Sequence, residues 1–259
     1  MINMREENKI KGGVVIIGSL FWEDKDNAIQ EKESIELAEK RKEWRETYLD
    51  LSKDKEERHQ LPIRYGRCSS GRKCTYTMVF AREALAKNSH ALVIPYKDEI
   101  DFSQYDNFEK QAKELAYVEG ISKDGEKCLR KSWGCIGIYI NPNSGNSRTV
   151  RNHWRNLRLT DKNYKNNPKY FNPEAPLIRR NYCLISKVQI NTEIDFLFFC
   201  YMKVEHQELR NDGKPKRQYP TPQEIAGQIN RSGYKTYFEE NKKNRIETFQ
   251  DIDINPLVK

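Results

Sequence analysis

Short apolar runs alternate with long polar stretches along the chain. The run at 13–18 contains only apolar and glycine positions, which predicts a strand covered on both faces. Gly18 lets the backbone turn sharply after this strand and leaves the following amides free to face a carboxylate or a phosphate. The other apolar runs predict strands at 61–67, 74–81, 91–95, 133–140, 182–190 and 195–204.

Apolar residues at helical spacing predict helices between these strands. Within 24–54, an exposed helix with one narrow buried stripe is predicted from Leu37, Trp44, Tyr48 and Leu51. The sequence Thr221-Pro222-Gln223-Glu224 is a capping box and predicts the start of another helix, ending near Gly233. Further helices are predicted at 107–118, 147–159 and 234–241, with a largely extended tail after them.

The mixture of strands and helices predicts the α+β class. At 259 residues the chain is long enough for a large core. We expect one domain over 1–259, with a core at 13–142 and a helical C-terminal elaboration at 143–259 packed on it. The loop at 160–176, rich in Asn, Lys and Pro, is the only plausible boundary.

Composition narrows the classes of partner. The net charge is +8 and the pI about 9.0, which favours nucleic acid, nucleotides or acidic peptides as partners. Six cysteines show no CxxC pair and no zinc spacing, so no metal is expected. No cofactor is expected either, and the thiols are expected to be reduced, as in a cytosolic protein. The N-terminus is polar and no apolar run is long enough to span a membrane. A cytoplasmic location is therefore expected.

The segment 62–76 is the strongest candidate for anion binding. It carries four cations, two tyrosines and two serines around two glycines. Such a group of hydrogen-bond donors indicates a site for an anionic ligand. The alternative interpretation is a plain basic hairpin on the surface. We expect this segment and the turn after the first strand to line one pocket through Gly18, Ser19, Leu20, Phe21, Trp22, Arg64, Tyr65, Gly66, Arg67, Ser69 and Ser70.

The order of these motifs resembles that of the gamma-glutamylcyclotransferases, especially the ChaC-like branch, over residues 13–142. In that family a Tyr-Gly-Ser-Leu loop after the first strand holds the glutamyl group; here Ile17 precedes Gly18-Ser19-Leu20. The resemblance implies a mixed β-barrel or sheet with flanking helices. It also implies a glutamate after a helix as general acid and base, which corresponds to Glu119, with Glu114 as the fallback. An ordinary exposed glutamate at a helix end is the alternative.

The chemistry that the resemblance implies is of the lyase or acyl-transfer kind. The α-amine of a γ-glutamyl group attacks its own γ-carbonyl, which requires positioning and a proton shuttle. A carboxyl group whose pKa is raised by desolvation suits the shuttle, and the amides of Ser19 and Leu20 would bind the substrate carboxylate or the oxyanion. A small anionic or γ-glutamyl ligand is the expected partner, and the fold alone leaves open whether catalysis is retained.

A basic stripe gives an alternative function. Cations spaced by three and four residues lie on one face of the helix predicted at 147–159, with Val150, Trp154 and Leu157 on an adjacent face as its anchor. A nucleic acid, a nucleotide or an acidic protein is the partner that this stripe would bind, and a solvated basic face is the other interpretation. The stripe consists of Arg148, Arg151, Arg155, Arg158 and Lys162.

Overall fold

The computed structural model describes residues 9–29, 31–52, 57–101, 105–123, 128–160, 176–206, 208, 213 and 218–259. The described strands are β1 Lys9–Ile10, β2 Gly12–Ile16, β3 Glu57–Gln60, β4 Ile63–Ser69, β5 Thr75–Phe80, β6 His90–Pro95, β7 Ile100–Asp101, β8 Gly134–Ile140 and β9 Phe196–Met202. The described helices are α1 Lys32–Tyr48, α2 Tyr105–Val118, α3 Ser147–Thr160, α4 Pro222–Ser232, α5 Thr236–Lys243 and α6 Asp251–Ile254.

A five-stranded mixed sheet in the order β3-β6-β2-β9-β8 forms the centre of the molecule. β2 runs antiparallel to β6 and parallel to β9. β9 is apolar along nearly its whole length and almost entirely buried, which suits an internal strand covered on both faces. The α+β class is confirmed, and the described strands form open sheets without a closed barrel.

The strands at 13–18, 61–67, 74–81, 91–95 and 133–140 are predicted to belong to one sheet or barrel, and this prediction is wrong for 61–67 and 74–81. β4 and β5 form a separate two-stranded sheet, a hairpin whose register shifts next to Gly66. Arg67 of β4 also forms an isolated bridge with Glu205, beyond the end of β9. β2 and β8 do share a sheet, but β9 lies between them. The central sheet therefore takes an internal strand from 143–259, the part expected to pack on the outside.

α2, α3, α4 and α5 agree closely with the predictions. α1 is shorter than the predicted helix, and of its predicted stripe only Trp44 is buried, with Leu51 beyond the helix end. α3 covers the predicted basic helix, and α4 begins with the predicted capping box at Thr221. Two other expectations are wrong: 182–190 forms isolated bridges at Cys183 and Leu184 instead of a strand, and the tail contains α6. No helix in the described part of the chain is long and apolar enough to cross a membrane.

Aromatic side chains fix α2 and α3 on the sheet. The ring of Phe108 in α2 lies 5.1 Å, between centroids, from both Phe196 and Phe198 in β9. Trp154 in α3 is 6.0 Å from Phe198 by the same measure. All four side chains are buried, so the core fixes the first turn of α2 and the middle of α3 against β9.

Candidate functional site

The site is built on the turn that follows β2. Phe21 N–H donates to Gly18 O at 3.2 Å, and Glu23 N–H donates to Ser19 O at 2.8 Å. Ser19 and Leu20 are the central residues of this turn, and their N–H groups have no acceptor among the described residues. A Cβ at Gly18 would lie 2.4 Å from the Tyr237 hydroxyl oxygen, so a larger residue there would displace Tyr237 from its bond with Met78 N–H. The turn therefore presents two adjacent backbone donors.

Two arginines of α1, one turn apart, hold the surrounding elements together. Arg45 donates to the carbonyl oxygens of Leu20, at 2.8 Å, and of Glu23, at 3.0 Å. Arg41 donates through Nε to Val118 O, the last carbonyl of α2, at 2.9 Å. A cation is favourable at a helix C-terminus. α1 thereby fixes the turn and the end of α2 relative to each other.

A buried ionic cluster lies beneath the turn. The Glu23 carboxylate pairs with Arg41 and with Arg72, whose Nη2 is 2.8 Å from Glu23 Oε2 and 2.7 Å from Ser19 Oγ. The side chains of Arg41 and Glu23 are only 5% and 6% exposed. Burial, assisted by Arg72, lowers the pKa of Arg41 to about 9, so Arg41 is still a cation at neutral pH. Two guanidinium groups thus share one carboxylate.

Glu119 lies directly after α2. Gly120, with φ of 76°, ends the helix in the left-handed conformation that favours glycine. Burial raises the pKa of the Glu119 carboxyl, and Arg41 and Arg72 act in the opposite direction. The carboxyl oxygens have no hydrogen-bond partner among the described residues. Glu119 is therefore a partly buried carboxyl group with free proton-accepting oxygens.

Glu119 and the turn face the same space. A cavity of about 450 Å³ adjoins a smaller one of about 40 Å³, and the two share Glu119 in their walls. Ser19 and Leu20 line the smaller cavity, and Ser69 and Ser70 line the larger one. We call the two cavities together the cleft. The residues common to both are Arg41, Arg72, Thr77, Glu119 and Met202.

The structure places about half of the predicted site residues in the cleft. The predicted residues that line it are Gly18, Ser19, Leu20, Arg67, Ser69, Ser70 and Glu119. Those that line neither cavity are Phe21, Trp22, Arg64, Tyr65, Gly66 and Glu114. The fallback glutamate, one turn earlier on α2, is thus outside the cleft. The turn after β2 and the segment 62–76 thus both line the cleft, but with fewer residues than predicted.

Trp22 and Arg64, two of the excluded residues, have structural partners elsewhere. Trp22 donates through Nε1 to Asn241 Oδ1 at 2.7 Å. Arg64 pairs with Glu83 at 2.5 Å and lies over the ring of Tyr219, 4.2 Å from its centroid. Because the guanidinium group of Arg64 is engaged on that side of the hairpin, it does not reach the cleft.

Sequence reasoning missed Glu23, Arg41 and Arg72 as parts of the site. Arg41 follows Leu37 by four residues and precedes Trp44 by three, so it belongs to the predicted buried stripe of α1. A cation within a buried stripe needs a partner, and that signal was present in the sequence. Glu23 and Arg72 carry no comparable local signal.

The basic stripe is also present on the molecule. Arg148, Arg151 and Arg155 are exposed and Arg158 is partly buried, whereas Lys162 lies outside the described residues. Val150, Trp154 and Leu157 are buried, as predicted for the anchoring face. None of the four arginines forms an ion pair with a carboxylate of the described chain.

Comparisons of the chain with protein-family models, with curated proteins and with solved structures found no match. Functional interpretation therefore depends on the geometry of the cleft and of the basic stripe. Among the described residues, no group of three or more His, Cys, Asp or Glu side chains is arranged to hold a metal ion.

Proposed function

We propose that the cleft binds a small anionic substrate and that Glu119 acts there as general acid and base, in the intramolecular cyclisation of a γ-glutamyl group. The observation that carries this proposal is the position of Glu119. Its unpartnered carboxyl group lines the same cavity as Ser19, at the turn whose amides are free.

Anion binding is supported by the charges of the cleft. Arg41 and Arg72 share the single carboxylate of Glu23, so the cluster of these three side chains keeps one positive charge. The free N–H groups of Ser19 and Leu20 add donors that suit a carboxylate or an oxyanion. Ser69 and Ser70 provide further hydroxyl groups at the wall of the larger cavity.

Proton transfer is supported by the environment of Glu119. A raised carboxyl pKa brings the group closer to neutral pH, where it can both accept and return a proton. In the proposed reaction, Glu119 takes a proton from the attacking α-amine as the new bond to the γ-carbonyl carbon forms. It then returns a proton to the leaving amine as the old amide bond breaks. The products are a cyclised glutamyl lactam and a free amine.

Turnover of γ-glutamyl amides tests this proposal. We expect the wild-type protein to release the lactam and the free amine, and Glu119→Gln to lose about 10²–10⁴-fold in rate because the proton shuttle is removed. Glu114→Gln is the matched control, since Glu114 lies on the same helix but outside the cleft. Both products are quantified by mass spectrometry, and circular dichroism checks that each variant is folded.

Two results contradict the proposal. One is a wild-type protein that turns over none of a panel of γ-glutamyl amides with different leaving amines. The other is a folded Glu119→Gln variant with wild-type rate. Loss of activity in Glu114→Gln instead would move the acid and base role to Glu114.

A further inference from the structure

We propose that α3 and the turn at 178–184 form one surface that binds the phosphate backbone of a double-stranded nucleic acid. The proposal is independent of the cleft and of its chemistry. We call this surface the basic surface, and its arginines are Arg148, Arg151, Arg155, Arg158, Arg179 and Arg180.

The contribution of α3 is a row of cations without internal partners. Arg148, Arg151 and Arg155 are exposed, and none forms an ion pair within the described chain. Like charges three and four residues apart on a helix repel each other. The stability of α3 therefore does not explain this row, whereas an external polyanion does.

The turn brings a second pair of cations to the same edge of the sheet. Arg179 and Arg180 are exposed, and the turn is closed by a bond from Tyr182 N–H to Arg179 O at 2.8 Å. Trp154 of α3 donates through Nε1 to Asn181 O of the turn at 2.8 Å. This bond ties the two basic elements together beside β8, the edge strand to which Cys183 forms a bridge.

The electrostatics of Cys183 show that the two sets of cations adjoin. Burial raises the pKa of the Cys183 thiol to about 11, and three guanidinium groups act in the opposite direction: those of Arg158, Arg151 and Arg179. Two of these groups belong to α3 and one to the turn. Guanidinium groups of both elements therefore lie near the same thiol.

The apolar face of α3 argues against a membrane as the partner. A helix that lies in a lipid interface inserts its apolar face, but Val150, Trp154 and Leu157 are buried in the core. Leu159 is the single exposed large apolar side chain that α3 offers.

The same surface suits a duplex better than a single strand. Single-strand binding relies on exposed aromatic rings on which bases stack, but the rings of α3 and of the turn, Trp154 and Tyr182, are both buried. From Arg148 to Arg158, α3 rises about 15 Å at 1.5 Å per residue, a length over which duplex DNA carries about nine phosphate charges. Guanidinium groups bind phosphate oxygens in a bidentate manner.

Fluorescence anisotropy with a labelled 20-base-pair duplex, over a series of NaCl concentrations, tests the proposal. We expect log affinity to fall linearly with log salt. The double variant Arg151→Ala/Arg155→Ala should reduce the slope by about 1.8, since each lost phosphate contact removes about 0.9. Arg179→Ala/Arg180→Ala should reduce it by a similar amount if the turn belongs to the surface.

The matched control is Lys242→Ala/Lys243→Ala on α5, which removes the same charge from exposed positions outside the basic surface. We expect its slope to equal that of the wild type. The proposal is overturned by a duplex that does not bind at 50 mM salt, or by arginine variants that behave like the control. Tighter binding to a single strand or to phosphatidylserine vesicles than to the duplex also overturns it.

Discussion

Arg41 and Arg72 in the cleft differ from the arginines of α3 in what surrounds their guanidinium groups. In the cleft, both groups lie against one buried carboxylate, and burial lowers the pKa of Arg41 to about 9. On α3, Arg148, Arg151 and Arg155 face solvent without a carboxylate partner in the described chain. The first pair positions other groups, whereas the second set is available to bind a partner.

Removing a charged side chain should therefore change the stability of the protein differently in the two regions. A buried cation that loses its partner is left desolvated and unpaired, which is strongly unfavourable. Removing an exposed cation from a row of like charges leaves no buried charge unpaired, and it relieves repulsion between the neighbouring cations. Stability measurements on charge-removing variants therefore test whether the two regions differ as described.

The largest effect is expected for Glu23→Ala. Loss of the carboxylate leaves Arg41 and Arg72 buried without their shared partner, so we expect a destabilisation of about 3–5 kcal/mol. Urea denaturation followed by tryptophan fluorescence measures the free energy of unfolding. Arg151→Ala is the control, with an expected change within about 0.5 kcal/mol. Similar values for both variants would remove the distinction between the two regions.

Trp154→Ala should have a comparable effect through packing. The side chain is 1% exposed, contacts Phe198 and donates to Asn181 O. Loss of a buried tryptophan leaves a cavity and costs about 3–5 kcal/mol. Thermal and urea unfolding measure this cost. A loss under 1 kcal/mol would show that α3 is not anchored as described.

Glu119→Gln should change how stability depends on pH. Because burial raises the pKa of Glu119, the folded state holds this proton to higher pH than the unfolded chain does. The wild type therefore loses stability as the pH rises from the ordinary value of 4.5 through the raised pKa. Gln cannot ionise, so the free energy of unfolding of the variant, relative to that of the wild type, should increase between pH 4 and pH 7.

Urea denaturation at both pH values measures this difference, with Glu114→Gln as the control for charge loss on α2. A Glu119→Gln variant that becomes less stable than the wild type at pH 7 would mean that the ionised carboxylate is stabilised by the fold.

The smallest effect is expected for Arg155→Ala. Arg151 and Arg158 are its neighbours at helical spacing, so removal of the middle charge relieves repulsion worth a few tenths of a kcal/mol. We expect unchanged or slightly higher stability, measured by thermal unfolding at low salt. A clear loss would indicate an internal partner for this arginine.

Local patterns in the sequence were sufficient to predict α2, α3, α4 and α5 and the turn after β2. The periodicity of Trp154 with its neighbours and the capping box at Thr221 act over a few residues, and both predictions are confirmed. The position of Glu119 after α2 follows from the same local logic. Its role remains a proposal.

Long-range placement could not be predicted from these patterns. Strand order is set by contacts between distant segments, so β9 was not expected between β2 and β8. In the basic hairpin, Arg64 and Arg72 look alike in sequence, but the register shift at Gly66 and the ring of Tyr219 place only Arg72 in the cleft.

The proton of Glu119 provides the most direct test of the central claim. The ¹³C chemical shift of its side-chain carboxyl carbon, assigned by comparison with Glu119→Gln, reports ionisation as pH is varied. We predict a midpoint above the ordinary value of 4.5, because the group is partly buried and lacks a hydrogen-bond partner among the described residues. A midpoint at or below 4.5 would show that Arg41 and Arg72 hold Glu119 as a structural ion, which would contradict its role as general acid and base.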